Sequence, residues 1–279
     1  MRVNDELTAE HFSFFSDQGY LVVEGAIQEN ELPHVQEEFY RVEEATRDDW
    51  KRAVADNVAY RPYRMSETSH VVAPIATHGD VFLDLLEHPR TVDITEKLMG
   101  PDMEMHDNAL HVKPAGTKSH TVWHKDERRW DFDPADWTEE DKQRWVSEGA
   151  CETPFMKVKI FFFVEDVDED TAPFSVVPGS HRAATDEVPQ YEPLEDMPDH
   201  VKLTGKAGDA LLWNGRIWHT AMDNTGTRDR RMLLYNYKHF GTKRTPIYDP
   251  DEALRAQLQG RSALCRQLFG VERMVREGF

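Results

Sequence analysis

The stretch FMKVKIFFFVEDV, residues 155–167, decides how the chain is read. Val158, Ile160 and Phe162 alternate with Lys157, Lys159 and Phe161. Side chains two apart in an extended chain share a face, so the spacing predicts a strand. The run IFFFV, residues 160–164, is the longest unbroken apolar run and is far too short to span a bilayer. Further short β-type runs surround it: MEMHDNALHVKP, FSVVPGSH, ALLWN, RIWHTAM and RRMLLYNYKHF. Gly, Pro, Asp and Asn punctuate them, as in VPGSH and KAGDA. Several short strands between turn signals predict a sandwich or barrel from about residue 103 to 240.

Helical patterns flank this core. In LTAEHFSFFSDQGYLVVEGAI, Thr8 can cap a short helix with Phe12, Phe15 and Phe14 on its apolar side. Gly19 stops that helix, and YLVVEGA reads as a strand. Leu32, Val35, Phe39 and Val42 recur at spacings of three and four, the period of an amphipathic helix. VFLDLLEHPRTVDITEKLMG reads as two helical pieces broken at Pro89 and ending at Gly100. The tail DPDEALRAQLQGRSALCRQLF returns to helix. The simplest organisation is one α+β domain over 1–279, mainly β with flanking helices. Its parts are a helical N-terminal part to about 100, a β-barrel core over about 103–240 and a helical tail.

Charge narrows the partners. With 33 basic against 52 acidic residues, net −19, the surface repels nucleic acid and anionic membranes. Cys151 and Cys265 show no metal-type or redox spacing, and MRVNDELTAEHF lacks an apolar core of signal-peptide length. A soluble, cytoplasmic protein acting on a small molecule is the expectation.

The chemistry gathers around VWHKDERRW, residues 122–130. On a strand, His124 and Asp126 project together, with Lys125 opposite. One imidazole and one carboxylate make two thirds of a two-histidine, one-carboxylate metal site. His219, in GDALLWNGRIWHTAMDNTGTRDRR, is the best third ligand; His106 and His120 are rivals. Arg230 follows at the start of a strand, where a guanidinium can hold a carboxylate through two parallel hydrogen bonds. Two histidines and a carboxylate can equally hold Zn2+ with a water, as in hydrolases. A non-catalytic ligand-binding barrel is a further alternative.

The ordered set LLEHPRTVDITEKLMG, HVKPAG, WHKD, VVPGSHR, GDALLWNGRIWHTAMDN and Arg230 resembles the phytanoyl-CoA dioxygenase family of Fe(II)- and 2-oxoglutarate-dependent oxygenases. The resemblance runs from Leu7 to about Phe240. It implies a double-stranded β-helix, a jelly-roll, cupin-like barrel. It also implies Fe(II) on His124, Asp126 and His219, with 2-oxoglutarate held by Arg230 and, as in some relatives, Lys113. O2 would take a remaining position. The reaction implied is hydroxylation of an unactivated C–H, with release of succinate and CO2. Related halogenases lack the carboxylate ligand, so Asp126 implies hydroxylation rather than halogenation. Many relatives carry a serine two residues after the distal histidine, where this chain has Ala221; Thr220 is out of phase.

Substrate contacts are sought in three places. Trp130 stands where similar members such as the ectoine hydroxylases line the substrate pocket, and packing within its loop is the alternative. Asp107 is a second pocket candidate. The charged segment 127–154 reads either as a lid, with Arg128 or Arg129 meeting an anionic group, or as a solvated insertion. None of this selects among an acyl-CoA, an amino-acid derivative, a phosphonate and a natural-product scaffold.

Overall fold

The computed structural model describes residues 1–4, 6–56, 67–126, 138–140, 142–143, 155–183, 185, 187–240 and 250–271. The N-terminal part runs β1 (Arg2–Val3), α1 (Ala9–Gln18), β2 (Tyr20–Val23), α2 (Leu32–Ala55), β3 (His70–Val72), α3 (Asp80–Leu86) and α4 (Pro89–Met99). Then come β4 (Met103–Lys113), β5 (Lys157–Phe163), β6 (Phe174–Val177), β7 (Val201–Leu203), β8 (Ala210–Asn214), β9 (Trp218–Ala221) and β10 (Arg230–His239). The tail carries α5 (Glu252–Leu258) and α6 (Ala263–Leu268).

The strand predicted from FMKVKIFFFVEDV is β5, flanked by β8 and β10 near the centre of a seven-stranded sheet ordered β1-β2-β8-β5-β10-β4-β3. Its alternation separates two apolar layers. Val158, Ile160 and Phe162 pack toward the helices, in one cluster with Phe12, Phe15, Phe39, Leu98 and Leu212. Phe161 and Phe163 pack on the other face with Phe174, Val176 and Trp213. Phe174 and Val176 belong to a second, three-stranded sheet ordered β7-β6-β9. Helices, large sheet and small sheet thus form three layers. Each half of β5's pattern is buried against a different layer, so both halves are apolar.

Local signals act where the sequence placed them. The Thr8 side chain accepts from the His11 N–H while His11 Nδ1 accepts from the Thr8 N–H, a closed capping box that starts α1. Gly19 ends it at φ +83°; a Cβ there would stand 2.7 Å from His181 Nδ1. Tyr235 and Tyr237 of β10 donate to the Phe82 and Leu86 carbonyls and pin α3 to the helix-side face.

Two expectations need correction. The N-terminal part is not only helical: beside β2, expected from YLVVEGA, the strands β1 and β3 also join the large sheet. A three-residue strand such as His70–Val72 is too short to show a period. The segment carrying His124 and Asp126 is not a regular strand either. Only His124 bridges to β9, because Asp126 already leaves the ladder for Gly215.

Leu212 is fully buried in β8 between β2 and β5. Leu212→Ala is expected to cost about 2–5 kcal/mol in urea unfolding, the range for a core leucine deletion. A loss under about 1 kcal/mol would show that the helix layer does not depend on this sheet face.

Candidate active site

Sheet register brings the two histidines together. His124 N–H donates to the His219 carbonyl at 3.1 Å, and His219 N–H donates to the His124 carbonyl at 3.0 Å. Residues paired in this way present side chains to one face, and the ring centroids lie 4.2 Å apart. On its other edge, β9 pairs His219 with Val176 of β6. Asp126 arrives two residues later; its N–H donates to the Gly215 carbonyl at 3.0 Å. Its Oδ2 stands 3.2 Å from His219 Nε2, and its Oδ1 is 3.9 Å from His124 Nε2.

Both imidazoles are oriented from behind. His124 Nδ1 lies 2.7 Å from the Val122 carbonyl and His219 Nδ1 2.9 Å from the Ile217 carbonyl. A ring nitrogen facing a carbonyl carries the proton, so each Nε2 is left as a lone pair. Lone pairs on Nε2 and a carboxylate oxygen 3.2 Å apart repel unless a cation lies between them. The three donor atoms, two nitrogens and an oxygen, fall within 4.8 Å of one another. This donor set fits a divalent transition metal with open coordination positions. Among the described residues no other His, Cys, Asp or Glu group gathers in this way. His106, His111 and His120 line the same cavity without joining the cluster.

The charges agree. Burial alone would raise the Asp126 carboxyl, but the neighbouring Lys159 ammonium outweighs it and holds the group well below the usual carboxylate range. Burial lowers the His124 imidazole below its ordinary value. Lys159 Nζ donates to Asp126 Oδ2 and lies over the Trp213 ring at 5.8 Å.

A cavity of about 270 Å³ opens from this cluster. Its far end holds Lys113 and Arg230, opposite each other on β4 and β10. Both are almost fully buried, at 2% and 4% exposure. Arg230 Nη1 donates to the Ala172 carbonyl at 2.7 Å, while its Nε is buried without a partner. No carboxylate lies within ion-pair distance of either cation among the described residues. Burial, with Arg230 adjacent, pulls the Lys113 ammonium down to about 7, and burial lowers Arg230 to about 10. Phe161, Phe174 and Leu234 form the apolar stretch between the two ends.

The other expected residues divide. Asp107 and Ala221 line the cavity. Thr220 faces away from it and bonds to the Thr121 carbonyl at 2.9 Å, and Thr121 itself lines the cavity. Trp130, Arg128 and Arg129 lie outside the described residues. Trp123, next to His124 in the chain, points away from the site. It packs with Met197 and Met222 and donates to the Leu194 carbonyl, because neighbours along an extended chain face opposite sides. Sequence reasoning missed Lys159 as a site residue, although its phase with Phe161 already put it on the cavity face.

A family model described as phytanoyl-CoA dioxygenase (PhyH) matches residues 15–232. The chain belongs to this family of Fe(II)- and 2-oxoglutarate-dependent oxygenases. It is 27% identical over 207 residues to L-proline trans-4-hydroxylase of Streptomyces griseoviridis, covering 63% of this chain and 71% of that one. Ectoine dioxygenase of Stutzerimonas stutzeri (strain A1501) is 22% identical over 260 residues, covering 85% and 78%. Among solved structures, HygX from Streptomyces hygroscopicus with nickel and 2-oxoglutarate bound aligns with a TM-score of 0.61 at 16% identity, covering 85% and 89%. That likeness is one of fold, the cupin-like jelly roll, although among the described residues the two sheets do not close into one hydrogen-bonded barrel.

Metal-free protein is expected to gain thermal stability on addition of Co2+ or Ni2+. At a hundred times Kd the gain is about 2.7 kcal/mol. His219→Ala should lose most of that gain in a thermal melt; equal stabilisation of the variant would place the metal elsewhere.

Proposed function

We propose that the chain, as a single domain over 1–279, hydroxylates an unactivated C–H of a small molecule, converting 2-oxoglutarate and O2 to succinate and CO2. His124, Asp126 and His219 would hold Fe(II), and Arg230 with Lys113 would hold the far carboxylate of 2-oxoglutarate. The observation that carries this reading is the cavity's two-ended build. A metal-type donor set stands at one end and, at the other, two buried cations with no carboxylate within ion-pair distance among the described residues; an apolar floor lies between. A zinc hydrolase has no use for the second end.

When bound, Fe(II) with 2-oxoglutarate supplies the oxidising power, and the residues supply placement. Arg230 is anchored by Ala172, which leaves Nε and the rest of the guanidinium to grip a carboxylate. Lys113 adds a second positive charge at the same point. Phe161, Phe174 and Leu234 keep water from the space between. Asp126 occupies the carboxylate position and so favours hydroxylation over halogenation, while Lys159 donates to its Oδ2 and fixes the carboxylate's orientation. Where Ala221 replaces serine, Thr121 brings a hydroxyl to the cavity lining, one that also bonds to Ser119 and Thr220. Trp130 and Arg128 remain proposed substrate contacts, and L-proline and ectoine, for which two relatives are named, set the size of substrate expected.

Fe(II) and 2-oxoglutarate added together under anaerobic conditions should produce a weak visible charge-transfer band that neither produces alone. Arg230→Ala should raise the 2-oxoglutarate concentration needed at least tenfold. Zn2+ binding with no such band would reverse the assignment.

Lys113 predicts a pH dependence. Its ligand-free ammonium titrates near 7, so above that pH the bound anion must bring a proton with it. Affinity for 2-oxoglutarate should fall as pH rises above about 7, by up to about tenfold per unit. Lys113→Met should flatten this slope in the same spectral titration; an unchanged slope would remove Lys113 from the cosubstrate site.

A further inference from the structure

The register of the large sheet lays residues across the cavity floor in rows. Trp213 pairs with Lys159, Lys159 with Asn236, and Asn236 with Asp107. All four line the cavity. The neighbouring row is Leu211, Phe161, Leu234 and Ala109, and it is wholly apolar. The Arg230–Lys113 pair lies beyond that, at the far end of β10. Six residues separate Arg230 from Asn236, about 20 Å of antiparallel strand. The Asn236 row thus lies at the opposite end of β10 from the Arg230–Lys113 pair. Lys159 ties that row to Asp126, so the row borders the metal-type cluster on the side away from the cosubstrate end.

The row is polar without being self-satisfied. Asp107 Oδ1 is buried with no hydrogen-bond partner. So is Asn236 Oδ1, on a side chain 1% exposed. Lys159 has three N–H donors, and Asp126 is its one hydrogen-bond partner among the described residues. Lys159 and Asp107 sit two strands apart, about 10 Å between Cα atoms, with Asn236 between them. They form no ion pair with each other. Buried polar atoms are ordinarily paired, so this row is built for something it does not contain.

We propose that Lys159, Asn236 and Asp107 bind the charged head of a compact zwitterion, an α-amino or α-imino acid, as the substrate of the hydroxylase read above. Lys159 takes the carboxylate, Asp107 the ammonium or secondary amine, and Asn236 bridges them. A plain anion would satisfy Lys159 and be repelled by Asp107; a plain amine would do the reverse. Only opposite charges a few bonds apart fit both ends of a gap two strands wide. Lys157 and His106 also line the cavity and bound the head group on either side. This inference rests on the hydroxylase reading for what happens to the ligand, but its binding test does not need turnover.

The test is calorimetry on protein loaded with Ni2+ and 2-oxoglutarate, titrated with each of the twenty protein L-amino acids. At least one should bind. Its des-amino acid and its primary amide should each bind at least tenfold more weakly. Asp107→Asn should weaken the amino acid at least tenfold while leaving the des-amino acid unchanged. Lys159→Gln should weaken the amino acid but not the amide, and Lys159→Arg should restore part of the loss. The comparison of ligands on the unaltered protein stands even where a variant misfolds. Three results would overturn the proposal with 2-oxoglutarate still bound: no amino acid binds, the des-amino acid binds as tightly as the amino acid, or Asp107→Asn changes nothing. Failure of 2-oxoglutarate itself to bind would instead overturn the hydroxylase reading, and this inference with it.

Discussion

The reciprocal backbone pair between His124 and His219 is the constraint on which the site depends. Two hydrogen bonds of 3.0 and 3.1 Å fix the register of the 120s segment against β9. Register decides which residues face the cavity, and a slip of one would turn Trp123 and Trp218 inward in place of the imidazoles. The same pairing leaves Val122 and Ile217 carbonyls behind the two rings, so each Nδ1 proton is committed and each Nε2 is free. Asp126 then needs only one further backbone bond, to Gly215, to bring its carboxylate alongside. Orientation and ligand chemistry thus come from main-chain geometry, which side-chain substitution nearby does not easily disturb.

The second organising element is β5. Its two faces serve two layers, helices on one side and the small sheet on the other. That arrangement explains a lysine in a deeply apolar strand. Lys159 is 8% exposed, and burying its charge is costly unless the charge is paired. Asp126 and the face of Trp213 meet that requirement, and Lys159 in turn holds Asp126 ionised where burial alone would favour the acid form. Each charge is tolerated because the other is present.

Polarity along the cavity floor follows the rows of the sheet. Cations lie at the Arg230–Lys113 end, aromatic and aliphatic side chains in the middle, and a mixed polar row at Asn236. The β-bulge between Asn236 and Tyr237 falls just past that row. It leaves His106 of β4 as the extra residue, so that His106 and its neighbour Asp107 both line the cavity, while Tyr235 and Tyr237 reach back to α3 by ordinary alternation. A bulge beside a site commonly re-aims side chains in this way.

Much of this was legible in the residues alone. Period-two spacing in β5, the Thr8 cap, the Gly19 stop and the break at Pro89 are local effects, set by steric and hydrogen-bonding preferences within a few residues. The ordered motifs around His124, Asp126, His219 and Arg230 marked the family and the donor set. Distance in space was not legible. That β1 and β3 complete the large sheet, that Trp123 turns away, and that Lys159 reaches Asp126 all depend on pairing between segments far apart in the chain. So does the row joining Lys159 to Asn236 and Asp107, since three strands from different parts of the sequence must align before it exists. Local propensity determines which residues extend or coil; only the register between strands decides which of them meet.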